Sequence, residues 1–198
     1  MRKTVVSLLP VLLATLPACQ KKEAAPDPAR LVAELRSPDA EKSGQARLRL
    51  ITLGEPAVPA LAEMLRSGTP AERVAAANTL WGMGVRARAA VPDLATALAD
   101  PDPGLQVAAA MALENMGPAA EAAVPSLAQA VRARDVRVRQ AAVKALGAIG
   151  PAAKAALPIL TRALRREAWP EAEEAVRRIQ GLEPGAVIEL GPEEPEAP

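Results

Sequence analysis

The sequence predicts an all-α fold: a right-handed α-solenoid of about four helical pairs, 33 residues each, with a half-repeat helix at either end. Three observations predict it. A skeleton recurs at fixed spacing, since Pro59, Pro92, Pro125 and Pro158 each follow Val or Leu and stand two residues before Leu61, Leu94, Leu127 and Leu160. Gly84, Gly117 and Gly150 keep the same period. Such a period marks units that cannot bury an apolar face alone and therefore stack on their neighbours. The second observation is composition. With two Trp, no Phe and no Tyr, a core must be built from Ala, Leu and Val on closely approaching, helix-favouring segments. The third is that no stretch alternates as a half-buried strand does.

Residues 1–18 come first. Arg2 and Lys3 precede an apolar run from Val5 to Leu16, broken at Pro10 and too short to span a bilayer. The run ends Leu16-Pro17-Ala18-Cys19, which resembles the lipobox of bacterial lipoproteins; Leu16, Ala18 and Cys19 match it and Pro17 departs from it. The resemblance implies cleavage before Cys19, a lipid on that cysteine, and a protein of the bacterial cell envelope that faces the periplasm or exterior. Residues 19–28 then read as the lipidated Cys and a flexible tether, charged and proline-bearing without periodicity.

The repeat domain is expected over 29–182. Its first-type helices are placed at 40–53, 71–83, 104–116, 136–149 and 170–181, and its second-type helices at 29–36, 57–67, 89–99, 122–133 and 155–166. The unit at 135–164 shows the logic. Asp135 caps the first helix, and Arg139 stands at the spacing of a local ion pair with it. Ala142, Leu146 and Ile149 form the buried stripe, Gly150 closes the helix in a left-handed conformation, and Pro151 forbids its continuation. Pro158 suits the first turn of the second helix, whose stripe is Leu157, Leu160 and Leu164. The first copy is three residues shorter between Gly54 and Pro59. Residues 183–198, rich in Glu and Pro, read as a disordered acidic tail in which Val187 and Ile188 touch the last helix.

Asp135, Arg139, Ala141, Ala142, Leu146, Gly147, Ile149, Gly150, Pro158 and Leu160 together form a pattern that is similar to the HEAT repeat, in its short bacterial, phycobilin-lyase-like form. The resemblance covers 29–182. It implies a protein-binding scaffold, and it implies that the second-type helices line the concave side.

Catalysis and metal binding find little material. Histidine is absent, and the lone cysteine is the one expected to carry lipid, so no catalytic residue, metal ligand or cofactor site is assigned. Asp100 and Asp102 read as a turn with a helix cap, and Glu171, Glu173 and Glu174 suit a first helical turn. Arginine clusters occur, but no nucleic acid is expected as partner. Trp81 and Trp169 are the only stacking groups, and Trp81 falls beside Leu80 as a core or groove-lining residue.

An interaction surface remains. With 58, 61 and 65 on the buried stripe, positions 60, 63 and 67 point outward, and stacking lines their equivalents into ladders. One ladder runs Glu63, Thr96, Gln129, Arg162; another Ala60, Asp93, Ser126, Ile159; a third Ser67, Asp100, Ala133, Arg166, flanked by Arg66, Ala99, Arg132 and Arg165. The first and third pass from acidic or neutral to basic. The charge balance agrees: residues 89–131 hold five acids and no base, and residues 132–178 hold eleven bases and five acids. The candidate partner-binding residues are Glu63, Asp93, Gln129, Arg132, Arg162, Arg165 and Arg166. The partner expected is another protein of acidic or mixed polar surface. Two other readings stay open: a bilin-lyase-like or other enzyme on the same fold, and a structural spacer without a specific ligand.

Overall fold

The structure is a computed structural model that describes residues 26–166, 168–188 and 190. The expected leader, Cys19 and residues 191–198 lie outside the described residues. Ten α-helices are described: α1 (Pro28–Leu35), α2 (Ala40–Leu53), α3 (Val58–Ser67), α4 (Pro70–Met83), α5 (Val91–Ala97), α6 (Pro103–Met116), α7 (Val124–Ala130), α8 (Val136–Ile149), α9 (Leu157–Arg166) and α10 (Pro170–Gln180). Even-numbered helices are the first type and odd-numbered helices the second. They stack as pairs into an all-α solenoid, with α1 and α10 as the half-repeats.

Caps start the first-type helices. Asp39, Asp102 and Asp135 each accept a backbone N–H of the following helix, with Asp135 receiving Arg137 at 2.8 Å. Thr69 and Glu72 exchange hydrogen bonds as a capping box ahead of α4, a Thr-x-x-Glu signal the sequence carries openly. The ion pair expected between Asp135 and Arg139 does not form. Arg137 takes that carboxylate at 2.8 Å, and Arg139 turns back to the carbonyls of Ala133 and Arg134 at 3.1 Å. A helix side chain leans toward the N-terminus of its own helix, which aims Arg139 at the end of the preceding one.

The second-type helices begin later than expected, because the linkers wind as 3₁₀ turns at Gly84–Ala90, Gly117–Ala123 and Gly150–Ala156. Only at Val91, Val124 and Leu157 does the α-helix start, with the repeating proline in its first turn. The first copy has just Glu55–Ala57 in this place, which is the three-residue trim. α5 and α7 also end early, closing in i→i+3 bonds such as Asp100 N–H to Ala97 O at 3.2 Å. Gly150 has φ 70° and ψ −140°. This is not the expected left-handed helical conformation but the mirror of the β region, open in practice to glycine alone.

One continuous core runs through the stack. Leu61, Leu65, Leu94, Leu127 and Leu160 are buried, as are Ala142, Leu146 and Ile149. Leu157 and Leu164 are only half-buried, since no second-type helix follows α9 to cover them. Alanine lets the first-type helices approach closely: a Cβ added at Gly147 would stand 3.1 Å from Ala175 Cα. Trp81 is not in this core; it stands 46% exposed on α4. The run 136–166 is apolar and long enough to cross a membrane by composition. It is α8, a 3₁₀ turn and α9, half buried in the solenoid, and not one straight span. After Gly181 the chain turns back. Arg177 Nε donates to Ala186 O at 3.0 Å and Ile188 packs against the core, while Val187 stays exposed.

Candidate functional site

Every ladder position from Glu63 to Arg166 is exposed or half-buried, and Val58, Leu61 and Leu65 behind them are buried. The outward register expected for these helices is therefore the observed one. What the structure adds is a pair of equivalent grooves in successive repeats, with a matching set of side chains one repeat earlier that is counted as the first groove. Each is made by the end of one second-type helix, the first turn of the next first-type helix, and the outward side of the following second-type helix.

In the first of these positions the charges cancel. Arg66 bridges Glu63 at 2.7 Å and Asp93 at 2.8 Å, and Arg73 reaches Asp100 at 2.6 Å. The Arg66 hydrogen bond, with a second from Ser67, holds the Glu63 carboxyl below its ordinary range, and the same carboxylates hold Arg66 protonated. The second groove is a cavity of about 240 Å³ lined by Leu98, Ala99, Gln106, Ser126, Gln129 and Ala133, with Arg132 as its one charge. The third lies 33 residues further on. It encloses about 500 Å³ between Val131, Arg132, Arg139, Ile159, Arg162, Ala163, Arg166 and Trp169.

Residue by residue, Ala99, Gln106, Gln129 and Ala133 are replaced by four arginines, Arg132, Arg139, Arg162 and Arg166, while Ser126 is replaced by Ile159. Arg132 and Arg162 make no ion pair among the described residues. Arg139 has a second duty. Like Arg73, which donates to Leu65 O at 3.0 Å, and Gln106, which donates to Asp100 O at 2.7 Å, it satisfies a carbonyl at the end of the helix before it. That anchors its guanidinium at the groove wall at no loss of charge.

Of the sequence-predicted residues, Arg132, Arg162 and Arg166 meet in the third groove and Gln129 lines the second. Glu63 and Asp93 belong to the first, already paired. Arg165 is exposed outside this groove and donates to the carbonyl of Leu190. Sequence reasoning missed Arg139 and Trp169 as groove residues. The signal was available for Arg139 in the column Arg73, Gln106, Arg139, which belongs to the following helix and so fell outside ladders drawn along second-type helices alone.

Chemically, the third groove offers several cations over an apolar floor of Val131, Ile159, Ala163 and the edge of Trp169, which suits an anionic group with an apolar neighbour. Among the described residues no group of three or more acidic or cysteine side chains is placed to hold a metal ion.

The sequence matches the family of HEAT repeats over residues 58–132 and 91–180. No curated protein matches it. Among solved structures it is similar to an engineered protein, at 22% identity and TM-score 0.58, covering 78% of this chain and 79% of that one. It is similar at 22% identity and TM-score 0.60 to the complex of CpcE and CpcF of phycocyanin lyase from Nostoc, over 77% of this chain and 97% of that one. A designed armadillo repeat protein in complex with the peptide (KR)4 is similar at 18% identity and TM-score 0.56, over 76% and 80% of the two chains. At these identities the likeness is one of fold.

Proposed function

Because the chain belongs to the HEAT-repeat family, we propose that it is a scaffold whose second-type helix face holds another protein, with no catalysis of its own. One observation carries the reading: the third groove gathers Arg132, Arg139, Arg162 and Arg166 around a cavity of about 500 Å³ with an apolar floor. Arg132 and Arg162 make no ion pair among the described residues, so this groove keeps positive charge for an incoming group. The partner is therefore a protein segment with acidic or mixed polar side chains. The residues around Cys19 support a second part of the proposal. A lipid on that cysteine holds the scaffold to a membrane of the bacterial cell envelope, on its periplasmic or exterior side, with residues 20–28 as tether.

The test is capture from detergent-solubilised envelope. The unaltered chain should retain one dominant protein, more weakly as salt rises. Reversing Arg162 and Arg166 to Glu should abolish capture while circular dichroism stays helical. Capture that ignores both the reversal and salt would sink the reading. A coloured small-molecule adduct would favour the lyase alternative instead. Intact mass decides the anchor, since a Met1 start on the mature chain contradicts lipid at Cys19.

A further inference from the structure

The first-type helices present an outer face that the grooves do not use. α4 carries no charged side chain after Arg73, and α6 carries only Glu114. A helix apolar on every side is ordinarily covered on every side. Here Leu48 on α2 is 63% exposed and Trp81 on α4 46%, and Val85 and Met111 are exposed as well. Leu48 and Met111 stand equally far from their capping residues Asp39 and Asp102, and Ile51 and Trp81 equally far from Asp39 and Thr69. That register puts them on one side of three neighbouring helices, since α4 packs against both α2 and α6. Asn115 of α6 donates to the carbonyl of Trp81 at 2.7 Å, which ties down the end of α4 that bears the indole.

Two features say what covers this face. The first is size. Two helix spacings by two turns is about 20 by 10 Å, or roughly 200 Å², against about 800 Å² per partner in a stable dimer. A patch of that area is too small to hold a second copy, but a few such side chains suffice to enter a lipid headgroup layer. The second is charge. Arg47 precedes Leu48 and Arg86 follows Val85; both are exposed, and neither makes an ion pair among the described residues. Glu55, an acid at this end, is met by Arg88 at 3.9 Å. A tryptophan with aliphatic neighbours and free guanidinium groups at its rim complements an anionic bilayer, where indole sits at headgroup depth and basic side chains meet phosphate.

We infer that the face around Leu48, Trp81, Val85 and Met111 rests on an anionic lipid surface, with Arg47 and Arg86 meeting lipid phosphates. The grooves, built on the other helices of each pair, are then turned away from the bilayer toward a partner. The inference stands on this patch and not on Cys19, and it gives the lipid anchor proposed above a second point of attachment.

Tryptophan quenching in vesicles tests it. Trp169→Phe leaves Trp81 as the one tryptophan of the full chain. In vesicles of equal parts phosphatidylglycerol and bromine-labelled phosphatidylcholine, Trp81 should be quenched; with phosphatidylcholine alone, quenching should be slight. Trp169, read in a Trp81→Phe chain, should escape it. Arg47→Glu with Arg86→Glu should lower the ratio of docked to undocked protein about tenfold or more, because each basic residue at such a surface contributes roughly fivefold. Leu48→Ser with Val85→Ser should lower it too, and neither pair should move the melting midpoint, since all four side chains are exposed. Protein that floats with the vesicles while Trp81 stays bright overturns the inference and leaves the anchor standing. Quenched Trp81 on a chain whose intact mass shows no lipid supports the inference and removes the anchor. A chain that does not float overturns both. Loss of iodide access to Trp81 in detergent as protein concentration rises assigns the face to a second copy and overturns the inference.

Discussion

The first and third grooves are the same piece of architecture with opposite electrostatics. At one end of the array Arg66 and Arg73 sit against Glu63, Asp93 and Asp100 within 2.6–2.8 Å. At the other end Arg132, Arg139, Arg162 and Arg166 gather with no acid among the described residues lining the cavity. A repeat array lets this happen at little risk to the fold. Each unit contacts only its neighbours, and the groove positions lie outside the buried stripes, so charge can change while packing is kept. The difference teaches that a repeated fold offers the same site several times, and that the copies can diverge into closed and open versions.

The comparison stands on the two faces of each second-type helix being assigned correctly, and breaking that assignment has the largest expected effect. Leu127 is fully buried, and Ser126 beside it lines the second groove. Leu127→Asp should cost about 3 kcal/mol or more, since a carboxylate there has no partner. Ser126→Asp, which puts an acid where the first groove has Asp93, should move stability by no more than about 0.5 kcal/mol. Equal urea midpoints for the two variants would mean the faces are reversed.

Next comes a transplant between the grooves themselves. Ile159→Asp with Arg166→Asp rebuilds the closed pattern of the first groove in the third. Capture of an acidic segment should then weaken about tenfold or more, equivalent to about 1.4 kcal/mol, with no loss of helicity. The converse substitution, Asp93→Ile, takes one of the carboxylates from Arg66 and should give the first groove measurable affinity for acidic peptide. A third groove that binds as well closed as open separates the charge pattern from the function.

These expectations also measure what the sequence makes legible. The period, the helix count, the buried leucines and the outward ladders follow from single-residue spacing, because apolar periodicity and proline punctuation are local signals. The 3₁₀ linkers are less legible, since alanine-rich stretches such as 119–123 satisfy either helix type and only the proline at the next helix start separates them. Arg139 was misassigned for a different reason. Its i+4 spacing to Asp135 is right for an ion pair, but the competing acceptors, the last carbonyls of the preceding helix, come from tertiary stacking. Trp81 shows the same limit in reverse: adjacency to buried Leu80 says nothing about which side of α4 it faces, and it faces out.

A smaller effect contrasts backbone packing at the two ends. Gly147 on α8 lies against Ala175, where a Cβ would meet backbone and side chain at 3.1 and 3.2 Å. Gly44 on α2 has no atom within 4 Å of that position. Gly44→Ala should stabilise by about 0.5–1 kcal/mol through helix propensity. Gly147→Ala gains the same propensity and loses about 1–3 kcal/mol to overpacking, so its net sign should be destabilising. Thermal midpoints that rise for both would show that α8 and α10 have slack between them.

The smallest expected effect is electrostatic and sharpens the comparison through pH. Each end of the array has a carboxylate held down by an adjacent arginine: Glu63 by Arg66, and Asp135 by Arg137, whose side chain and backbone N–H bring its pKa to about 2. A depressed carboxyl contributes stability that is complete above its unfolded value and is lost as pH falls through its folded value, which for Asp135 is about 2. Both groups are open to solvent, so the contribution is small. The useful consequence lies in the window. Between pH 6 and 3.5 Asp135 stays ionised, and so the ion pair beside the third groove does not titrate. Loss of acidic-peptide capture in that range is then not due to Asp135, and titration of the ligand's carboxylates should put its midpoint near 4 to 4.5. Side-chain NMR of Asp135 gives the control: its transition should fall near pH 2 and rise toward the ordinary carboxylate range in Arg137→Ala. If capture persists unchanged from pH 6 to 3.5, the ligand's carboxylates are not what binds, and the open groove is not reading an acidic segment.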